Sequence, residues 1–87
     1  MRPQEIYPEI GDLVRAASDG ADRVALLRAT CETWDVDQLR VDPGSPWTGT
    51  ETQAALLGDL AGAEEALRSA IGRLEGAWSA LGRLAID

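Results

Sequence analysis

Few side chains in this 87-residue chain are equipped for chemistry. Two carboxylate pairs, Glu64-Glu65 and Asp35/Asp37, have the type and proximity to hold a divalent cation or to divide acid and base roles. Cys31 is a nucleophile by type, but the chain has no histidine to activate it, and the serines at positions 18, 45, 69 and 79 lack the same partner. No glycine-rich phosphate loop follows a strand. Adjacent carboxylates in this setting read as a solvated helix face or loop. Cys31 reads as a small thiol buried on an apolar stripe, the alternative being an intermolecular or redox thiol. Arg68, Arg73 and Arg83 fall beside or away from the apolar positions described next, which is a poor arrangement for a catalyst working by arginine and glutamate electrostatics. The sequence argues against an enzyme, and no catalytic residue, cofactor or metal is expected.

The elements that carry these residues are helices. From residue 51 to 86, Leu56, Leu60, Ala63, Leu67, Ala70, Leu74, Ala77, Leu81 and Leu84 recur at alternating steps of four and three, a heptad pattern. Leu57, Ile71, Trp78 and Ala85 follow four of these positions directly, so the apolar face is three positions wide. Thr48-Gly49-Thr50-Glu51 and Thr50-Glu51-Thr52-Gln53 both fit a capping box at the start of this helix. Five glycines, at 58, 62, 72, 76 and 82, lie off the stripe and predict either an exposed, tolerant face or a close approach by another backbone.

The first half is patterned in the same way. Residues 1 to 7 are expected to form an arm, because Tyr7 precedes a proline and Pro8 suits the first position of a helix. Ile10, Leu13, Ala17, Val24, Leu27, Cys31 and Trp34 then mark a helix over residues 8–41, ending between Thr33 and Val41. Ser18-Asp19-Gly20 could kink or break it. Asp42-Pro43-Gly44-Ser45-Pro46 is a strong breaker, so residues 42–50 form a turn. The fold class is therefore all-α, a single antiparallel helical hairpin. Each helix spans on the order of 45 to 50 Å. Two helices cannot bury stripes this wide, and pairing of two hairpins into a four-helix bundle resolves the excess. The core and interface positions are Leu13, Val24, Leu27, Trp34, Leu56, Leu60, Leu67, Ile71, Leu74, Trp78 and Leu81.

Composition restricts the partners. Fifteen acidic residues against eight arginines, with no lysine, give a net charge of −7, which repels phosphate backbones and argues against nucleic acid. No apolar run reaches the ~20 residues a membrane helix needs, and no signal-peptide pattern opens the chain. A cytoplasmic protein, or one exported folded without a cleavable signal peptide, is expected.

Two heptad-patterned helices in a domain of this size, joined by a turn containing Trp47-Thr48-Gly49, resemble the WXG superfamily of small proteins exported by type VII secretion systems. The resemblance implies a helical hairpin and dimerisation with a like or paralogous hairpin. It further implies a role as exported substrate or as the partner that carries one, in contact with the secretion machinery. Trp47 and Gly49 are then the turn motif, the ring being expected to seal the hairpin end near Leu56 and the glycine to let the chain pack beneath it. Members or their partners often carry a Tyr-x-x-x-Asp/Glu signal after the second helix, whereas the only tyrosine here is Tyr7. A helical antitoxin, immunity protein or adaptor subunit is the alternative.

Overall fold

A computed structural model describes residues 1–85. Two helices, α1 (Pro3–Glu32) and α2 (Gly49–Leu81), pack along each other as an antiparallel hairpin, with a 3-10 turn at Val36–Gln38 in the connection. The hairpin is all-α among the described residues, as the periodicity predicts. It measures 64 × 23 × 15 Å, with a radius of gyration of 19.3 Å where a compact domain of this length has about 12 Å.

The N-terminal arm is not an arm: α1 starts at Pro3 and runs through Pro8. Pro3 takes the first helical position, and the Arg2 backbone N–H donates to Glu5 Oε2 at 3.2 Å, closing the helix start. Tertiary packing overrides the bias that Pro8 imposes on Tyr7. The Tyr7 ring lies 5.2 Å, centroid to centroid, from that of Trp78 in α2, and Ile6 is half-buried. Helix α1 is also unbroken at Ser18-Asp19-Gly20, because this segment faces α2: Ala21 is fully buried, and a methyl added at Gly20 would meet Leu67 Cδ1 at 3.9 Å.

Helix α1 stops at Glu32, before the expected window of 33–41. The Gln53 side-chain amide, one turn into α2, donates to the carbonyls of Cys31 (3.1 Å) and Trp34 (3.2 Å), satisfying helix-end acceptors from across the hairpin. Asp35 then accepts from the Asp37 N–H and starts the 3-10 turn. Ser45 N–H donates to Asp42 O, with Pro43 and Gly44 at the centre and Gly44 at φ +87°, the conformation a type II turn demands of its third residue. Helix α2 begins at Gly49, two residues earlier than expected, because Thr48 is the cap: its hydroxyl accepts from the Glu51 N–H and donates to the Glu51 carboxylate, both at 3.1 Å. The predicted extension to residue 86 ends instead at Leu81, and Ile86 lies outside the described residues.

The seam is rotated from the predicted phase. Helix α1 turns Ile10, Val14, Ala17, Ala21, Val24, Arg28 and Cys31 inward, so that Val14, Ala21 and Arg28 replace Leu13, Gly20 and Leu27. Helix α2 turns in Gln53, Leu57, Leu60, Glu64, Leu67, Ile71, Leu74, Trp78 and Leu81. Both helices moved by one residue at alternate positions. Each stripe is wider than one partner can cover, and the hairpin buries the edge that brings Arg28 to Glu64 and Gln53 to the end of α1.

Candidate interaction surface

The rotation gives the hairpin two unlike sides. On one, Arg28 Nη2 meets Glu64 Oε1 at 3.2 Å, Arg68 Nε meets Glu64 Oε2 at 3.0 Å, and Arg68 Nη2 reaches Asp22 at 3.4 Å. Hydrogen bonding to Glu64 pushes the Arg68 guanidinium above its ordinary value, with Asp22 acting in the same direction and desolvation opposing both. Arg28, Glu64 and Arg68, with Ala61, Glu65 and Ser69, line a shallow recess of about 640 Å³. Glu64 is therefore more than a solvated helix face: its side chain is 17% exposed and its carboxylate joins the two helices. Glu65, its neighbour, is exposed, and Asp35 is engaged in its own turn, so neither carboxylate pair converges on a common point. Among the described residues no group of three or more His, Cys, Asp or Glu is placed to hold a metal ion, and no helix is long and apolar enough to cross a membrane.

On the other side the apolar stripes remain open. Positions 13, 20, 27 and 34 of the first half and 56, 63, 70 and 77 of the second sit one residue back from the seam. Because the helices run in opposite directions, both rows fall on the same side of the hairpin. Leu13 (55% exposed), Leu27 (55%), Trp34 (45%) and Leu56 (37%) stand there in solvent, with Ala63 and Ala77 exposed between them. Of the interface positions named from the sequence, Val24, Leu60, Leu67, Ile71, Leu74, Trp78 and Leu81 are half-buried in the hairpin, and Leu13, Leu27, Trp34 and Leu56 are left outside it.

The two ends also differ from expectation. At the turn, Trp34 rather than Trp47 stands where Leu56 meets the end of α1; together with Leu39, Val41 and Gly49 they line a recess of about 150 Å³. Trp47 is 54% exposed and borders a separate hollow with Val41, Thr52 and Ala55. Gly49 packs under the 3-10 turn instead of under an indole, since a methyl there would lie 3.3 Å from the Val36 carbonyl oxygen. The intervening type II turn directs residues 45–47 away from the seam. At the open end, Trp78 lies across Gly11, where an added methyl would come within 2.8 Å of Trp78 Cζ2. The indole N–H is buried with no hydrogen-bond acceptor among the described residues, so shape rather than polar bonding holds the ring.

Gln53, Arg28, Glu64 and Gly11 were not singled out as packing residues by the sequence pattern. For Gln53 and Glu64 the only signal is phase: 53, 57, 60, 64, 67, 71, 74, 78 and 81 form an unbroken heptad once polar residues are admitted to it, as 10, 14, 17, 21, 24, 28 and 31 do with Arg28, whereas Gly11 falls on neither row. No protein-family model, curated protein or solved structure matches the chain.

Proposed function

We propose that this chain is a non-catalytic interaction hairpin of the type VII secretion kind, pairing with a second helical hairpin and either being exported or carrying the partner that is. One observation supports this reading above the others. Among the described residues, the hydrophobic ones buried by the hairpin alone are Ala21 and Cys31, and no large side chain is fully buried, while Leu13, Leu27, Trp34 and Leu56 share one side. A leucine moved from water into a packed interface contributes about 1.5 to 3 kcal/mol, so a hairpin that leaves these residues out gains most by association. An exposed apolar patch bordered by polar residues is the usual mark of a protein-binding surface. The secretion part of the proposal comes from Trp47-Thr48-Gly49 standing where the turn enters α2, with Thr48 as the helix cap and Gly49 as its first residue.

Trp47 lies outside the seam, which favours a second reading: an antitoxin, immunity or adaptor subunit that uses the same apolar side and for which Trp47-Thr48-Gly49 is only a turn. The two separate in one assay. Expressed in a bacterium with an intact type VII apparatus, the chain is expected in the culture supernatant, and deletion of the secretion ATPase should retain it in the cells. Export that ignores the ATPase, or no export of a chain shown to be paired, overturns the secretion reading.

A further inference from the structure

We propose that a second copy of this chain, turned end for end, covers the apolar side, with Gly20 at the crossing point. The inference rests on the interaction-hairpin reading and names its partner. Ile6, Leu13, Gly20 and Leu27 of α1 stand seven residues apart, an interval that keeps them in one row along helices packed as a bundle. Trp34, just past the end of α1, stands beside Leu56 on the same side. The row is matched in apolar character about its centre: one heptad from Gly20 lies a leucine on each side, and at twice that separation lie Ile6 and Trp34. A two-fold axis through Gly20 therefore sets Leu13 of each copy against Leu27 of the other, and Ile6 against Trp34. This self-matching is what an isologous interface requires. Gly20 has no side chain to hold the two α1 backbones apart at the axis, and the alanines at 63, 70 and 77 keep the α2 row low beside it.

Charge and area agree with a self-partner. The whole chain carries −7, yet the charged residues next to this side by helical phase are Arg2, Arg23 and Arg73 against Glu9 and Asp59. A copy approaching here meets a border of mixed sign with no acidic excess, and the carboxylates that make the chain acidic lie elsewhere. The hairpin exposes 6427 Å², roughly 1,400 Å² more than a compact monomer of its mass, and a stable dimer needs about 800 Å² from each partner. The surplus is large enough to supply that interface.

The test uses the full chain under reducing conditions, with mass read by sedimentation equilibrium and helicity by circular dichroism. The wild type should weigh twice 9.3 kDa. Leu13→Lys and Leu27→Glu should each fall to the monomer mass, because each faces leucine in its own dimer. An equimolar mixture of the two should return to the dimer mass, since the mixed pair sets the new cation against the new carboxylate at one contact and leucine against leucine at the other. If the single variants also lose helicity, its recovery on mixing reads the same pairing. Leu26→Lys, on the outer back of α1, should remain dimeric. A monomeric wild type overturns the proposal, and so does a mixture that stays monomeric, which is what a copy running in the same direction would give. Export is scored separately: a dimer that is not exported sinks only the secretion reading, and an exported monomer paired with a different hairpin sinks only this one.

Discussion

The side of the hairpin closed by Arg28, Glu64, Arg68 and Asp22 and the side carrying Leu13, Leu27, Trp34 and Leu56 flank the same seam and are finished by different means. Polar groups on the first side find their partners within the chain. Apolar groups on the second do not, and no rearrangement of two straight helices would cover both edges of a three-wide stripe at once. The polar residues thus decide which edge is turned in, and the leucines that remain are available to something else. The glycines divide by helix instead: Gly11 and Gly20 in α1 lie against Trp78 and Leu67, while Gly58, Gly62, Gly72 and Gly76 in α2 face open space.

The comparison breaks most visibly if seam and flank respond alike. Leu67 and Leu74 are half-buried between the helices, so Leu67→Asp or Leu74→Asp places an unpaired charge in the apolar seam between α1 and α2. The expected cost is about 3 kcal/mol or more, with helicity and association lost together. Leu27→Asp, on the open flank, should abolish association while retaining much more of the helical signal at high protein concentration. Equal loss of helicity in all three variants, measured by circular dichroism, would show that seam and flank are one core.

Glycine substitutions sharpen the same contrast with a smaller effect. Gly11→Ala drives a methyl into the Trp78 ring and should destabilise by about 1–3 kcal/mol, the range for overpacking a fitted contact. Gly62→Ala meets nothing and should stabilise α2 by up to about 1 kcal/mol through helix propensity alone. Thermal melts of the two variants should shift in opposite directions. A downward shift for Gly62→Ala would mean that another backbone lies against that face.

How much of this was legible in the sequence follows from what periodicity can and cannot resolve. Heptad spacing and the Asp42–Pro46 breaker are local signals, and the hairpin follows from them. The phase is not local: a stripe three positions wide allows two seams, and the choice depends on Arg28 finding Glu64 and Gln53 finding the carbonyls of Cys31 and Trp34. Arg28 and Glu64 are 36 residues apart in sequence, and nothing in either local pattern links them. The start of α1 was misplaced for a related reason, since the penalty at Pro8 is visible in the sequence and the Tyr7–Trp78 contact that outweighs it is not. At the turn, the spacing puts Trp34 on the apolar stripe and Trp47 in the connection, but which ring stands beside Leu56 depends on the geometry of residues 42–47, which the spacing does not carry.

Those two tryptophans give the next test. Trp34 stands on the open flank beside Leu56, whereas Trp47 borders a hollow outside it. Trp34→Ala should weaken association several-fold more than Trp47→Ala, read by sedimentation, because only the first ring lies on the surface proposed to pair. Gly49→Ala should cost little, since the 3.3 Å approach to the Val36 carbonyl can be relieved by a small shift of the 3-10 turn. If Trp47→Ala is the more damaging to association, the partner reaches around the turn and the interface is centred there.

The smallest effect is expected from the ion pairs that close the other side. Arg68 is solvent-exposed, and its bonds to Glu64 and Asp22 exchange with water and counterions, so Arg68→Gln should lower stability slightly at low salt and imperceptibly at high salt. The pH behaviour follows from the direction of its shift. A cation whose folded value is raised contributes stability that is present in full below its unfolded value and lost only as pH rises through the folded one. For an arginine that window lies far above neutrality, so the Arg68 proton itself adds no slope between pH 6 and 9, and ionic strength is the variable that reports on it. Arg28→Gln should cost more than Arg68→Gln, because Arg28 lies in the seam and is half-buried against Glu64, whose second oxygen would keep only the exposed partner. Neither change touches the apolar flank, so dimer mass should hold in both variants. Loss of the dimer in Arg28→Gln with helicity intact would mean that the ion pairs, by choosing which edge of each stripe is buried, also decide whether the open flank is presented at all.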